Sequence, residues 1–310
     1  MKLKKLALTA LTSAVLSTSV SAADLRIGVS MALFDDNFLT FLRNGIETEA
    51  VRRGVDVQIE DGKDEVGTQL NQIQNFIASG VDAIIVNPVD TDATVSMSND
   101  AAAAGIPLIY VNRQPINIDT LPSNQAFVAS NEVESGTYQT QEVCRLLGGK
   151  GDVVVMMGQL SNQAAIMRTK DIHDVIATPE CSGLKVIEEQ TAEWSRTKGN
   201  DLMTNWLAAG VEFDAVIANN DEMALGAIQA LRAAGIAMED VVVAGIDATP
   251  DALAAMKVGD LDVTVYQSAV GQGEGAVDAA IRLAKGEKVD RKVWVPFELV
   301  TPANVDEYLK

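Results

Sequence analysis

Short apolar runs alternate with longer stretches in which apolar positions recur every three or four residues. "RIGVSM" (26–31) precedes a stretch with Leu39, Leu42, Ile46 and Ala50 on one helical face, and "VDVQIE" (55–60) precedes another with Leu70, Ile73 and Ile77. "DAIIVN" (82–87), an Ala-rich helical stretch and "PLIYVN" (107–112) come next. The second half repeats the scheme with "DVVVMM" (152–157), "KVIEEQ" (185–190), "AVIANN" (215–220), "DVVVAGID" (240–247) and "DVTVYQ" (262–267). Strands so continuously rich in Val and Ile are buried on both faces. That pattern predicts an α/β fold of parallel sheets covered by helices on each side.

The halves also echo each other. "GVDAIIVN" begins at Gly80 and "GVEFDAVIAN" at Gly210, while "AAGIP" and "AAGIA" place glycines at 105 and 235. The two spacings are equal, as expected of one doubly wound unit used twice. In open parallel sheets ligands sit beyond the carboxyl ends of the strands. Those ends deliver Phe34, Asp35, Asp36, Asn37 and Phe38, then Asn87, then Asn112 with Arg113. In the second half they deliver Gln159, Trp194, Asn219 with Asn220 and Asp221, Asp247 and Gln267. Carboxylates accept hydrogen bonds, guanidinium donates in a fork, amides do both, and aromatic faces cover C–H patches. Such a set suits a ligand rich in hydroxyls. Singly, each has a plainer reading: Asn219 and Asp221 as helix caps, Asp35 as a solvated charge, Trp194 as surface packing, Arg168 as an ordinary residue on a helix surface.

Composition narrows the picture. A chain of 310 residues accommodates two domains, and aromatics at 5% suit α/β layers. At the N-terminus, Lys2, Lys4 and Lys5 precede the apolar "LALTALTSAVL" and the small residues of "SVSAADL". This is the pattern of a secretory signal peptide over 1–22, with cleavage expected after Ala22. No Cys lies at that point to carry a lipid. The formal charge is −19, and loss of the three leader lysines makes it more negative still. Such acidity argues against nucleic acid or an anionic membrane as partner.

Catalytic and cofactor motifs fail. "GQGEGA" (271–276) lacks the G-x-G-x-x-G spacing, and "GGKGD" (148–152) lacks that of a phosphate loop. There is no C-x-x-C and no G-x-S-x-G. The lone histidine, His173, lies in a polar helical stretch and reads as a surface residue. No enzyme activity, cofactor or metal is expected. Cys144 and Cys181 form either a disulfide, which an exported protein permits, or two separate buried thiols.

From about residue 24 to about 302 the chain resembles the periplasmic sugar-binding proteins of the ribose-binding type, the solute receptors of ABC importers. "NNDEMALGAIQAL" (219–231) and "VVVAGIDATPDAL" (241–253) carry the resemblance most specifically, with "VNP" at 86–88 and "NRQ" at 112–114. It implies the type I fold: two lobes joined by three crossings near 130, 267 and 296. The N-terminal lobe would comprise 23–130 and 268–296, and the C-terminal lobe 131–267 and 297–310. The family's binding positions fall on Asp36, Phe38, Asn112, Arg113, Arg168, Trp194, Asn220, Asp247 and Gln267; Phe34, Asp35 and Asn37 are neighbouring candidates.

Against the ribose-binding pattern, Asp36 replaces an Asn, "NFL" replaces Pro-Phe-Phe, Asn112 replaces an Asp, Trp194 replaces a Phe and Ile246 replaces a Phe. "MALFDDNFLTFLRNG" is closer to the inositol- and rhizopine-binding branch. The resemblance therefore implies a cyclic polyol, myo-inositol first, with a rhizopine and ribose or a hexose as alternatives. Its implied partner is an ABC permease, a chemoreceptor is a compatible second one, and a periplasmic monomer is expected. Repressors of the LacI type share the fold, but they carry a DNA-binding segment where this chain has its signal peptide.

Overall fold

The computed structural model describes residues 25–309, so the signal peptide expected over 1–22 lies outside the described residues. The first unit runs β1 (Arg26–Met31), α1 (Asn37–Arg53), β2 (Asp56–Asp61), α2 (Val66–Ser79), β3 (Ala83–Val86), α3 (Thr94–Ala104), β4 (Leu108–Val111) and β5 (Gln125–Ala129). The second runs α4 (Glu132–Leu146), β6 (Lys150–Met157), α5 (Gln163–Ile176), β7 (Gly183–Thr191), α6 (Arg196–Ala208), β8 (Ala215–Ala218), α7 (Asp221–Ala233), β9 (Val242–Ala244), α8 (Pro250–Lys257) and β10 (Thr264–Gln267). Then α9 (Ala269–Ala284) and β11 (Lys292–Trp294) return to the first unit, and β12 (Phe297–Val300) returns to the second.

One sheet has the order β11-β5-β4-β3-β1-β2 and the other β7-β6-β8-β9, with every pairing in both parallel. Strand β10 continues the second sheet only through the bridges Ala244–Val263 and Asp247–Tyr266. The sequence pattern had β10 as one more parallel strand. Instead its other edge pairs antiparallel with β12, register Gln267 to Phe297, because the returning chain enters from the opposite end. The pattern also left β5, β11 and β12 without a strand of their own.

Set side by side, the two units place equivalent strands in the same order. The glycines of the internal echo share one role: Gly80, Gly105, Gly210 and Gly235 all sit just past a helix with φ between 67° and 76°. A left-handed residue there lets the chain turn back into a strand, and glycine has no Cβ to clash in that conformation.

Each sheet buries both faces. In β3, Ile85 packs with Val29, Leu42, Ile46 and Val277, while Ile84 packs with Ile73, Phe76, Met97 and Tyr110 on the other side. In the second sheet Val154 and Met156 face Met203 and Leu231, and Val153 and Val155 face Ile172. This two-sided burial is why the strands read as continuous apolar runs rather than alternating ones. The chain passes between the units after β5, after β10 and between β11 and β12. Cys144, in the last turn of α4, is bonded to Cys181, just ahead of β7, with Cα atoms 5.7 Å apart.

Candidate functional site

The carboxyl ends of both sheets converge on one small cavity. All nine residues singled out by the resemblance line it: Asp36, Phe38, Asn112, Arg113, Arg168, Trp194, Asn220, Asp247 and Gln267. The first unit supplies Asp36 and Phe38 beside β1, and Asn112 with Arg113 beyond β4. The second supplies Arg168 from α5, Trp194 after β7, Asn220 after β8, Asp247 after β9 and Gln267 at the end of β10.

Local structure aims these groups. Asp36 caps α1, its Oδ1 accepting from the Leu39 N–H at 2.8 Å, and Asn220 caps α7, its Oδ1 accepting from the Met223 N–H at 3.0 Å. Each cap commits one oxygen to its helix and leaves the other polar atom of the side chain for other partners; Asn220 Nδ2 donates to the Trp194 carbonyl at 3.2 Å. Three further pocket residues have left-handed backbones: Asn112 (φ 66°), Trp194 (φ 64°) and Asp247 (φ 126°). Asn tolerates that region, but for Trp and Asp it costs on the order of 1–3 kcal/mol each. Strain held this way turns the side chains out of the strand ends and into the cavity.

A relay of amides joins the two units at its floor. Asn112 Nδ2 donates to Gln267 Oε1 at 2.8 Å, and Gln267 Nε2 donates to Asp247 Oδ1 at 2.9 Å. Gln272 Nε2 also donates to Gln267 Oε1, at 2.9 Å. On the first unit Arg113 is steadied through Nη1, which donates to the Pro88 carbonyl at 2.9 Å. Arg168 is held harder: Nε and Nη2 donate to the two oxygens of Glu132 at 2.7 and 2.9 Å, and Nη1 to the Asn219 carbonyl at 2.6 Å. The Trp194 indole N–H donates to Asn162 Oδ1 at 3.0 Å, and its ring centre lies 5.5 Å from the Arg168 guanidinium carbon.

Loss of water dominates the electrostatics. Asp36 is only part-buried as a residue, but its carboxyl faces inward; burial raises its pKa against the pull of the Leu39 N–H and Arg113. Burial lifts Asp247 well above the usual carboxylate range, opposed by Arg168 and reinforced by Asp221 and Asp36. It lowers Arg113, while Asp36 and Asp64 pull the other way. Burial works against the charge of Arg168 too, yet Glu132, Asp247 and Asp221 together raise its pKa above the ordinary value.

Three neighbouring candidates do not reach the cavity, which corrects the expectation for Phe34, Asp35 and Asn37. Capping at Asp36 turns the helix so that 36, 38 and 39 face inward. The Phe34 ring lies 4.2 Å from the Arg43 guanidinium carbon, Asp35 is exposed, and Asn37 Nδ2 donates to Glu222 Oε1 of the second unit at 2.8 Å. Asp35 and Asn37 line an outer vestibule instead. Gln159 bridges the two lips, donating to Asp64 at 2.8 Å. Asn219 and Asp221 are structural. Asn219 Oδ1 accepts from the Gly158 N–H and from Thr169. Asp221 is held by Thr249 and Thr264. Arg168 is buried, at 4% exposure, and so is not a helix-surface residue. His173 sits at the surface against Glu189.

Leu39, Glu132 and Ala164 also line the cavity and were not singled out by the sequence. Leu39 and Ala164 carry no chemical signal. Glu132, in the first turn of α4, reads in sequence as a carboxylate placed to complement a helix dipole.

Two units of one topology, three connections and a small polar pocket at the meeting of their strand ends define a solute-binding protein of the type I periplasmic fold. The chain belongs to the periplasmic binding protein domain family, which residues 27–288 match. This is a family of binding proteins and not of enzymes. The chain is 67% identical over 297 residues to a Rhizobium meliloti protein provisionally named for rhizopine binding, covering 96% of each chain. It is 33% identical over 303 residues to the ribose import binding protein of Salmonella typhimurium, covering 97% of this chain and 99% of the other. Among solved structures it resembles an ABC transporter solute binding protein from Bacillus halodurans C-125 with bound myo-inositol. That match has TM-score 0.88 and 46% identity, and covers 94% of this chain and 99% of the other. The Caulobacter myo-inositol binding protein bound to myo-inositol gives TM-score 0.86 and 28% identity, covering 94% and 97%.

Proposed function

We propose that this chain is the periplasmic receptor of an ABC importer and that its ligand is a cyclic polyol, myo-inositol first. The observation that carries the reading is the composition of the pocket wall: Asp36, Asn112, Arg113, Arg168, Asn220, Asp247 and Gln267 present planar polar groups, with the rings of Phe38 and Trp194 among them. A six-membered ring with a hydroxyl on every carbon engages all of these groups. A pentose leaves some unpaired, at about 1–3 kcal/mol for each buried group. Two such losses amount to roughly 30-fold or more in affinity. The relatives with bound myo-inositol support the same choice.

In this reading residues 1–22 direct export and are removed. Residues 23–130 with 268–296 form one lobe, and 131–267 with 297–310 form the other. Ligand closes the hinge, and the membrane permease recognises the closed monomer. A chemoreceptor can read the same closed form. An amino-polyol of the rhizopine kind is the second reading, favoured by the provisionally named relative and by three pocket carboxyls, Asp36, Glu132 and Asp247, against two guanidiniums. The test is calorimetric titration of ligand-stripped protein with myo-inositol, ribose, glucose and galactose, alongside mass spectrometry of ligand released from natively purified protein. Tighter binding of ribose than of myo-inositol would refute the ligand assignment.

A further inference from the structure

We propose that Glu132 sets the charge selectivity of the pocket: by pairing side-on with Arg168 it fixes that guanidinium and cancels its charge, so the pocket takes neutral polyols and rejects acidic ones. This rests on the polyol reading above. Glu132 lies at the start of α4, two residues beyond the first connection between the units, and lines the cavity. Both its oxygens face Arg168, at 2.7 and 2.9 Å, and Ser135 Oγ donates to Oε2 at 2.9 Å, so the carboxylate is locked in place. Helices α4 and α5 are pressed together here. A Cβ on Gly136 would stand 2.5 Å from the Arg168 carbonyl oxygen, and that close approach lets a first-turn carboxylate reach the arginine.

The geometry fixes which N–H groups remain for a ligand. A guanidinium has five N–H groups. Three of those on Arg168 are engaged by Glu132 and Asn219, which leaves one on each terminal nitrogen for the pocket. It fixes the charge as well. Besides the Glu132–Arg168 pair the cavity holds the cation Arg113 and the carboxyls Asp36 and Asp247, and Asp247 Oδ1 itself lies 4.0 Å from Arg168 Nη1. An acidic polyol therefore meets three carboxyls against two guanidiniums, one of which is already held side-on by Glu132, with little water to screen the repulsion. Glu132 occupies the place on Arg168 that a ligand carboxylate would otherwise take in the same bidentate fashion.

The experiment compares myo-inositol with glucuronate, a neutral and an anionic six-membered polyol, by calorimetry on the mature chain at pH 7.5 in low salt. Wild type binds myo-inositol and discriminates against glucuronate. Glu132→Gln weakens myo-inositol and shifts the ratio of the two dissociation constants toward glucuronate by at least tenfold, a shift that added salt diminishes. The double variant Glu132→Gln, Arg168→Gln removes both charges and buries no orphan cation, so it is readable even if the single variant folds poorly. It keeps rejecting glucuronate. An unmoved ratio in Glu132→Gln, or acceptance of glucuronate by the double variant, overturns the proposal while leaving the polyol reading in place. Failure of wild type to bind any neutral probe sinks the polyol reading and this proposal with it.

Discussion

Substituting Gly158 by alanine tests the pocket wall without touching it. Gly158 lies just after β6, and its φ is not in the left-handed region, so alanine is compatible with the backbone. A Cβ built there would lie 2.1 Å from Cζ2 and 2.2 Å from Cη2 of Trp194, so the indole must swing away. The shift breaks the indole N–H bond to Asn162 in the free and the bound protein alike, so that loss of about 1 kcal/mol falls on stability; withdrawing the ring face from the ligand costs binding about another 1 kcal/mol. The binding loss of about 1 kcal/mol is roughly fivefold in Kd. Because the clash involves the far end of a side chain, the fold should survive, and the Gly158 N–H can still reach Asn219. Titration with myo-inositol should therefore show a loss of about three- to tenfold, while the lost indole bond lowers the melting temperature by only a few degrees. Trp194→Ala should lose at least tenfold, and adding Gly158→Ala to it should change affinity little further. Gly158→Ala binding as tightly as wild type would refute the reasoning, as would a double variant another tenfold weaker than Trp194→Ala.

Arg113→Lys should cost at least tenfold in affinity, because an ammonium cannot both hold the Pro88 carbonyl and present a planar fork; equal affinity by calorimetry would count against bidentate recognition. Denatured, unreduced protein should titrate no free thiol, and reducing the Cys144–Cys181 bridge, which spans 37 positions, should lower stability by about 3–4 kcal/mol on the chain-entropy account. Asp171 is buried on α5 with one oxygen unpartnered. Burial, then the charges of Glu132 and Asp174, push its pKa up to about 7. A folded pKa above the unfolded one means the native state holds the extra proton, so this group's contribution to stability is full below about pH 4 and is lost as pH rises through 7. Asp171→Asn should raise the melting temperature at pH 8 and barely alter it at pH 4; equal shifts at both pH values would show that ionisation is not the cause.

Much of this was legible in the chain itself. Continuous Val and Ile runs such as "DAIIVN" betray strands buried on both faces, and glycines at 80, 105, 210 and 235 mark where helices end. Because ligands of parallel sheets sit beyond the strand ends, the residues just past each run already pointed to Asp36, Asn112, Arg113, Trp194, Asn220, Asp247 and Gln267. These signals are local: periodicity and turn chemistry act within a few residues. Arg168 and Glu132 are different. They lie 36 positions apart on two helices, and apart from the family resemblance, which marks Arg168, each passes in sequence for an ordinary helix residue. Only the packing of α4 on α5 brings them together and turns both toward the cavity. The same holds for Phe34, Asp35 and Asn37, which the strand-end rule admits but the capping turn at Asp36 points elsewhere. It holds for β10 as well, whose apolar pattern cannot announce an antiparallel partner 30 residues downstream. Sequence by itself determined which side chains stand at the strand ends. Tertiary structure decided which of them share one small volume, and which charge there is already answered, because both depend on distances between segments that no local pattern encodes.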